Sequence, residues 1–124
     1  MIKGFMSLFS NDSLLDQALD DTHKMLNDVE QMVGAAYGAL RCSSSSDLDI
    51  DISLMDKAVN RYESEVRRKA FTHLSVMGTE NIYPALVLVS IIIDVERVGD
   101  YAKNIVDLAR MHAPKLEAAR FEDE

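Results

Sequence analysis

Apolar residues recur at helical spacing over most of this chain, and residues that stop a helix are few. Leu15, Leu19, Leu26, Val29, Val33, Ala36 and Leu40 lie three, four or seven apart. Met55, Val59, Tyr62, Val66, Ala70, His73 and Met77 repeat the pattern. A third stripe centres on Ile91, Val98 and Ile105, widened by Leu88, Ile92, Val95, Ala102 and Val106. Such spacing places one apolar stripe along a 3.6-residue period, and no two-residue alternation competes with it. The serine run from Cys42 to Ser46, continued to Asp51, separates the first two stretches, and Gly78 separates the second from the third.

The spacing predicts helices over about Ser13 to Leu40, from Ser53 to Gly78, and from Pro84 to roughly Met111. Ser13-Leu14-Leu15-Asp16 and Ser53-Leu54-Met55-Asp56 resemble N-terminal caps, and Thr79 to Tyr83 hold the third. Pro84 is tolerable only in a first turn, and Pro114 is expected to end the last helix. Short connections between three long helices give an all-α antiparallel three-helix bundle. A chain of 124 residues makes one domain. That domain is expected over residues 13–113, after an apolar arm over 1–12 carrying Ile2, Phe5, Leu8 and Phe9, and before an acidic tail over 114–124. The arm is expected to pack on the bundle.

Composition excludes several classes. The net charge of −8 would repel phosphate backbones, so no nucleic-acid partner is expected. Cys42 is the only cysteine and cannot form an intrachain disulfide, which points to a reducing, cytoplasmic setting. The longest apolar run, Pro84 to Ile93, is half of what a bilayer span requires. No nucleophile–base pair and no phosphate-cradling glycine loop is present, so the chain is not expected to be an enzyme. A di-iron centre of the ferritin type needs paired Glu-x-x-His motifs. No Glu precedes His23, His73 or His112 by three residues. The histidines are expected to be structural, with His73 on the apolar stripe, and the methionines to fill the core.

The residues that carry chemistry are polar ladders. Glu96, Asp100 and Asn104 follow one another at i, i+4 steps, which stacks them on one side of a helix. Neighbouring anions repel there, so a cation is a reasonable occupant. Asp56, Asn60, Glu63 and Arg67 form a second ladder at spacings of four, three and four. Antiparallel helices joined near Thr79 bring together residues whose numbers sum to about 159. Glu63 then lies level with Glu96, Asn60 with Asp100, and Asp56 with Lys103 and Asn104. The oxygen character of these ladders suits hard or borderline cations. Set against this, Arg67, Arg97 and Lys103 could neutralise the same carboxylates as exposed ion pairs. Glu96 and Asp100 are expected to point away from the core, making any site superficial.

Asp56-Lys57-Ala58-Val59-Asn60 with Glu63, and Glu96-Arg97-Val98-Gly99-Asp100 with Asn104-Ile105, resemble the motif segments of the PhoU family of phosphate-transport regulators. The resemblance runs in pattern from about Asp16 to Met111. It implies a helical bundle that binds metal, iron or another divalent or trivalent cation, on Glu96, Asp100, Asp56, Asn60, Glu63 and Asn104. It also implies a cytoplasmic regulator, peripheral to the membrane through a phosphate transporter or sensor as partner. Asn60 stands where the family motif asks for Asp, which lowers the negative charge available.

Val89 and Ile93 lie above Glu96 and Asp100, opposite the expected core stripe, and an apolar patch there marks a contact. The family's usual protein carries two packed repeats, and this chain matches one. Together these point to a homodimer or higher even oligomer, with Leu88, Val89, Ile92 and Ile93 in the interface. A structural adaptor that oligomerises without a physiological metal is the alternative.

Overall fold

The computed structural model describes residues 11–41 and 51–122. Helices α1 (Asn11–Arg41), α2 (Ile52–Met77) and α3 (Ile82–Glu122) follow in order, with a 3-10 turn over Gly78–Asn81 between the last two. Each helix packs on both others, giving the expected three-helix bundle. The apolar arm, the serine run with Cys42 and the end of the tail lie outside the described residues.

The local chemistry explains the boundaries. Helix α1 begins at Asn11, two residues before the expected Ser13. The cap of α2 is Asp51, two residues before the expected Ser53: its Oδ1 accepts a 3.1 Å hydrogen bond from the Leu54 amide. An extended Asp with a free carboxylate satisfies an orphan amide of the first turn as well as serine does. Gly78 stops α2 as expected. Its φ of +72° belongs to the left-handed region, and its amide donates to the Leu74 carbonyl. Pro84 sits in the first turn of α3, where a missing amide hydrogen costs nothing. Pro114 does not end α3, which continues to Glu122. One proline removes a single intrahelical bond, and the strong helix formers around it, from Lys115 to Arg120, carry the helix on.

The core is made by Ala18, Met25, Val29, Met32 and Ala36 from α1, Ile52, Val59, Val66 and Ala70 from α2, and Ile92, Val95, Ala102 and Val106 from α3. On α2 this is the predicted stripe. On α1 and α3 the helices are rotated from expectation. Leu19, Leu26, Val33 and Leu40 are exposed, as are Ile91 and Val98, while the neighbouring Ala18, Met25, Met32, Ile92 and Gly99 face inward. Two features fix this rotation. Asp21 forms a largely buried ion pair with Lys69, which turns that side of α1 toward α2. At Gly99, α3 packs closely on the other two helices. A Cβ there would lie 3.3 Å from Val29 Cγ2 and 3.7 Å from both Met32 Sδ and Val59 Cγ1. Small residues allow close approach, so Gly99 and Ala102 face the core and the larger Ile91 and Val98 swing aside.

His73 is fully buried, as its place on the stripe predicted. Neither of its ring nitrogens has a hydrogen-bond partner among the described residues. Buried Thr22, by contrast, is satisfied by donating to the Ala18 carbonyl at 2.7 Å.

Candidate functional site

The rotation of α3 decides where the ladders lie. With Ile92 and Gly99 at the centre of the buried face, Glu96 lies at its edge and Asp100 roughly 40° beyond it. Both are half-buried, so the expectation that they point away from the core is corrected. They sit in the groove between α2 and α3, where half-buried Asp56 and Glu63 flank the core from the α2 side. Asn60 and Asn104 are exposed and lie farther out on their helices.

The predicted register holds. Lys103 Nζ lies 3.6 Å from Asp56 Oδ2, an ion pair between residues whose numbers sum to 159. Glu63 accepts a hydrogen bond from Arg67, one turn along α2. Glu96 and Asp100 stand one turn apart on α3, close enough for their carboxyl groups to influence each other. The Glu96 carboxyl is held above the ordinary glutamate range. Burial is the first cause and the adjacent Asp100 carboxyl, within reach of a shared proton, the second; the negative charges of Asp100, Glu63 and Asp56 add to it. Four carboxylates from two helices thus share one groove and feel one another electrostatically.

Their donor chemistry suits a hard cation, but their placement keeps them apart. Among the described residues no group of three or more His, Cys, Asp or Glu side chains is gathered closely enough to hold a metal ion. Two of the four carboxylates are occupied by cations: Asp56 by Lys103 and Glu63 by Arg67. Asp56 and Glu63 would have to leave Lys103 and Arg67 to join Glu96 and Asp100 around an ion. The exposed ion-pair alternative is therefore visible in part: Lys103 and Arg67 do neutralise the groove.

The expected interface residues fall into two groups. Ile92 is fully buried within one copy and is not free for a partner, while Leu88 is half-buried against the core. The cause is the rotation that also moved Ile91 outward. Val89 is half-buried and Ile93 is exposed, both on the carboxylate side of α3. The Asp21–Lys69 pair was not foreseen; its signal was a charged residue beside the buried stripe on each helix. The close approach at Gly99 could have been read from an isolated glycine within a helical pattern.

The PhoU domain model matches residues 22–109, more than half of the chain. This chain belongs to the PhoU domain family. The matched segment contains all seven residues of the two ladders and the buried face of α3. Comparison with curated proteins and with solved structures found no match. Among the described residues no helix is long and apolar enough to cross a membrane.

Proposed function

We propose that this chain is a non-catalytic regulator of phosphate transport or phosphate signalling, acting by docking on a membrane-bound transporter or sensor from the cytoplasmic side. The PhoU domain supports the phosphate-linked role. Within that role, the α2/α3 groove is a cation site on Glu96, Asp100, Asp56 and Glu63, with Asn60 and Asn104 as outer oxygen ligands. The observation that carries this reading is the placement of four half-buried carboxylates from α2 and α3 along one groove. Mutual repulsion among them destabilises the empty groove and favours a multivalent cation, iron or another divalent or trivalent ion. The protein works as a homodimer or higher even oligomer.

The second reading, an oligomerising adaptor without a physiological metal, is favoured by the pairing of Asp56 with Lys103 and Glu63 with Arg67. Calorimetric titration with manganese(II) and iron(II) separates the two. The wild type should bind, and Glu96→Ala/Asp100→Ala should lose at least tenfold in affinity while keeping its helical circular dichroism. Equal binding by the two proteins would take the site away from Glu96 and Asp100, and no binding by either would leave the adaptor reading. The regulatory role is tested in cells: phosphate uptake at high external phosphate should rise when the coding sequence is deleted, and an unchanged rate would oppose it.

A further inference from the structure

The edge of α3 opposite the carboxylates carries a different surface. The ion pairs Lys69–Asp21 and Lys103–Asp56 mark the sides of α1 and α3 that face α2. Leu19, Leu26, Val33 and Leu40 lie on the other side of α1, and Ile91 and Val98 on the other side of α3. Both sets flank the α1/α3 groove on the face of the bundle away from α2. The packing of Gly99 on Val29 and Met32 places Val98 level with Leu26 and Val33. The two rows therefore form one continuous strip. Each of the six residues is between 41% and 62% exposed.

We infer that this α1/α3 face is covered by the same face of a second copy of the chain. Within each row the spacing is seven residues, a repeat that keeps an apolar seam facing a helical partner rather than a sheet or a loop. Neither row contains a charged residue, while exposed Asp16, His23, Glu30 and Asp94 rim the strip. An apolar centre with a polar rim is the anatomy of a protein interface. The acidic rim and a net charge of −8 argue against an anionic lipid surface as the occupant. With the exposed parts of Tyr37 and Val87 the strip opens roughly 700 Å², near the ~800 Å² that one partner contributes to a standard interface. Two copies related by a two-fold axis supply matching helical rows to each other, and this closes the assembly. The inference rests on the reading that the chain self-associates, and it places the seam on the α1/α3 face instead of at Val89 and Ile93.

Light scattering across the micromolar range tests it. The wild type should have the mass of two chains, or an even multiple. Leu26→Lys/Val98→Lys should reduce that mass to one chain with unchanged helical circular dichroism, because both side chains are half-exposed and a lysine can extend into solvent. If the lysine variant fails to fold, Leu26→Gln/Val98→Gln gives the same reading without added charge, and an intact oligomer in that variant overturns the inference. A wild type with the mass of one chain overturns both the inference and self-association. A dimer that survives at Leu26 and Val98 but falls apart in Val89→Lys/Ile93→Lys overturns this face and leaves self-association standing. Metal binding is read separately, so the fate of the cation groove does not affect the result.

Discussion

His73 is the most costly single residue in the described core. Burying an imidazole takes two polar nitrogens out of water, and here neither finds a partner among the described residues. An unsatisfied buried polar group costs about 1–3 kcal/mol, more than its ring contributes over a similar apolar side chain. His73→Leu keeps most of the volume and removes both orphan nitrogens. It should stabilise the fold by about 1–2 kcal/mol, measured as a higher urea midpoint with an unchanged denaturant slope. A loss of stability would show that a ring nitrogen is bonded after all. His73 was legible in the sequence as a buried residue because it completes a seven-member apolar stripe. Its lack of partners was not, because periodicity reports which side a residue faces and says nothing about what it meets there.

At the scale of helices, the sequence revealed axial position better than rotation. The sum rule that paired Asp56 with Lys103 follows from the turn at Gly78 alone, since α2 and α3 rise equally per residue in opposite directions. Rotation depends on tertiary details: a close approach at Gly99, and an ion pair between residues 48 apart in sequence, Asp21 and Lys69. When two adjoining strips of a helix are apolar, as on α1 and α3, periodicity cannot choose between them. The rotation has an electrostatic result, because it draws Glu96 to the edge of the core and raises its pKa. The sign follows from linkage. A carboxyl with a raised pKa binds its proton more tightly folded than unfolded. Its contribution is fully present below the ordinary glutamate range and is lost as pH rises through the raised value. Metal-free protein should therefore lose stability relative to Glu96→Gln as pH rises from the ordinary glutamate range through the raised value. Thermal melts of both proteins in chelator should show the melting temperature of Glu96→Gln rising above that of the wild type with pH. Parallel curves would remove Glu96 from the coupled cluster.

For the whole molecule, α3 presents two different surfaces on its two edges. One edge faces α2 and carries Glu96, Asp100 and Lys103; the other flanks α1 and carries Ile91 and Val98. Around the helix the two rows are separated by the buried stripe of Ile92, Gly99 and Val106, which belongs to neither surface. All four carboxylates come from α2 and α3 of one copy, so the proposed cation site is complete without a partner. A dimer built on the α1/α3 face leaves both α2/α3 grooves open, on the outside of the assembly. Sites that share no side chains and lie on opposite edges of a helix should behave additively. Leu26→Lys/Val98→Lys should therefore bind metal with the wild-type stoichiometry per chain and within about threefold of its affinity, a difference of under ~0.7 kcal/mol. Conversely, Glu96→Ala/Asp100→Ala should retain the wild-type mass in light scattering. The paired measurement is decisive because each variant serves as the control for the other. If dissociation into single chains also abolished metal binding, the site would draw a ligand from a neighbouring copy, and the α2/α3 groove of one chain would be only half of it.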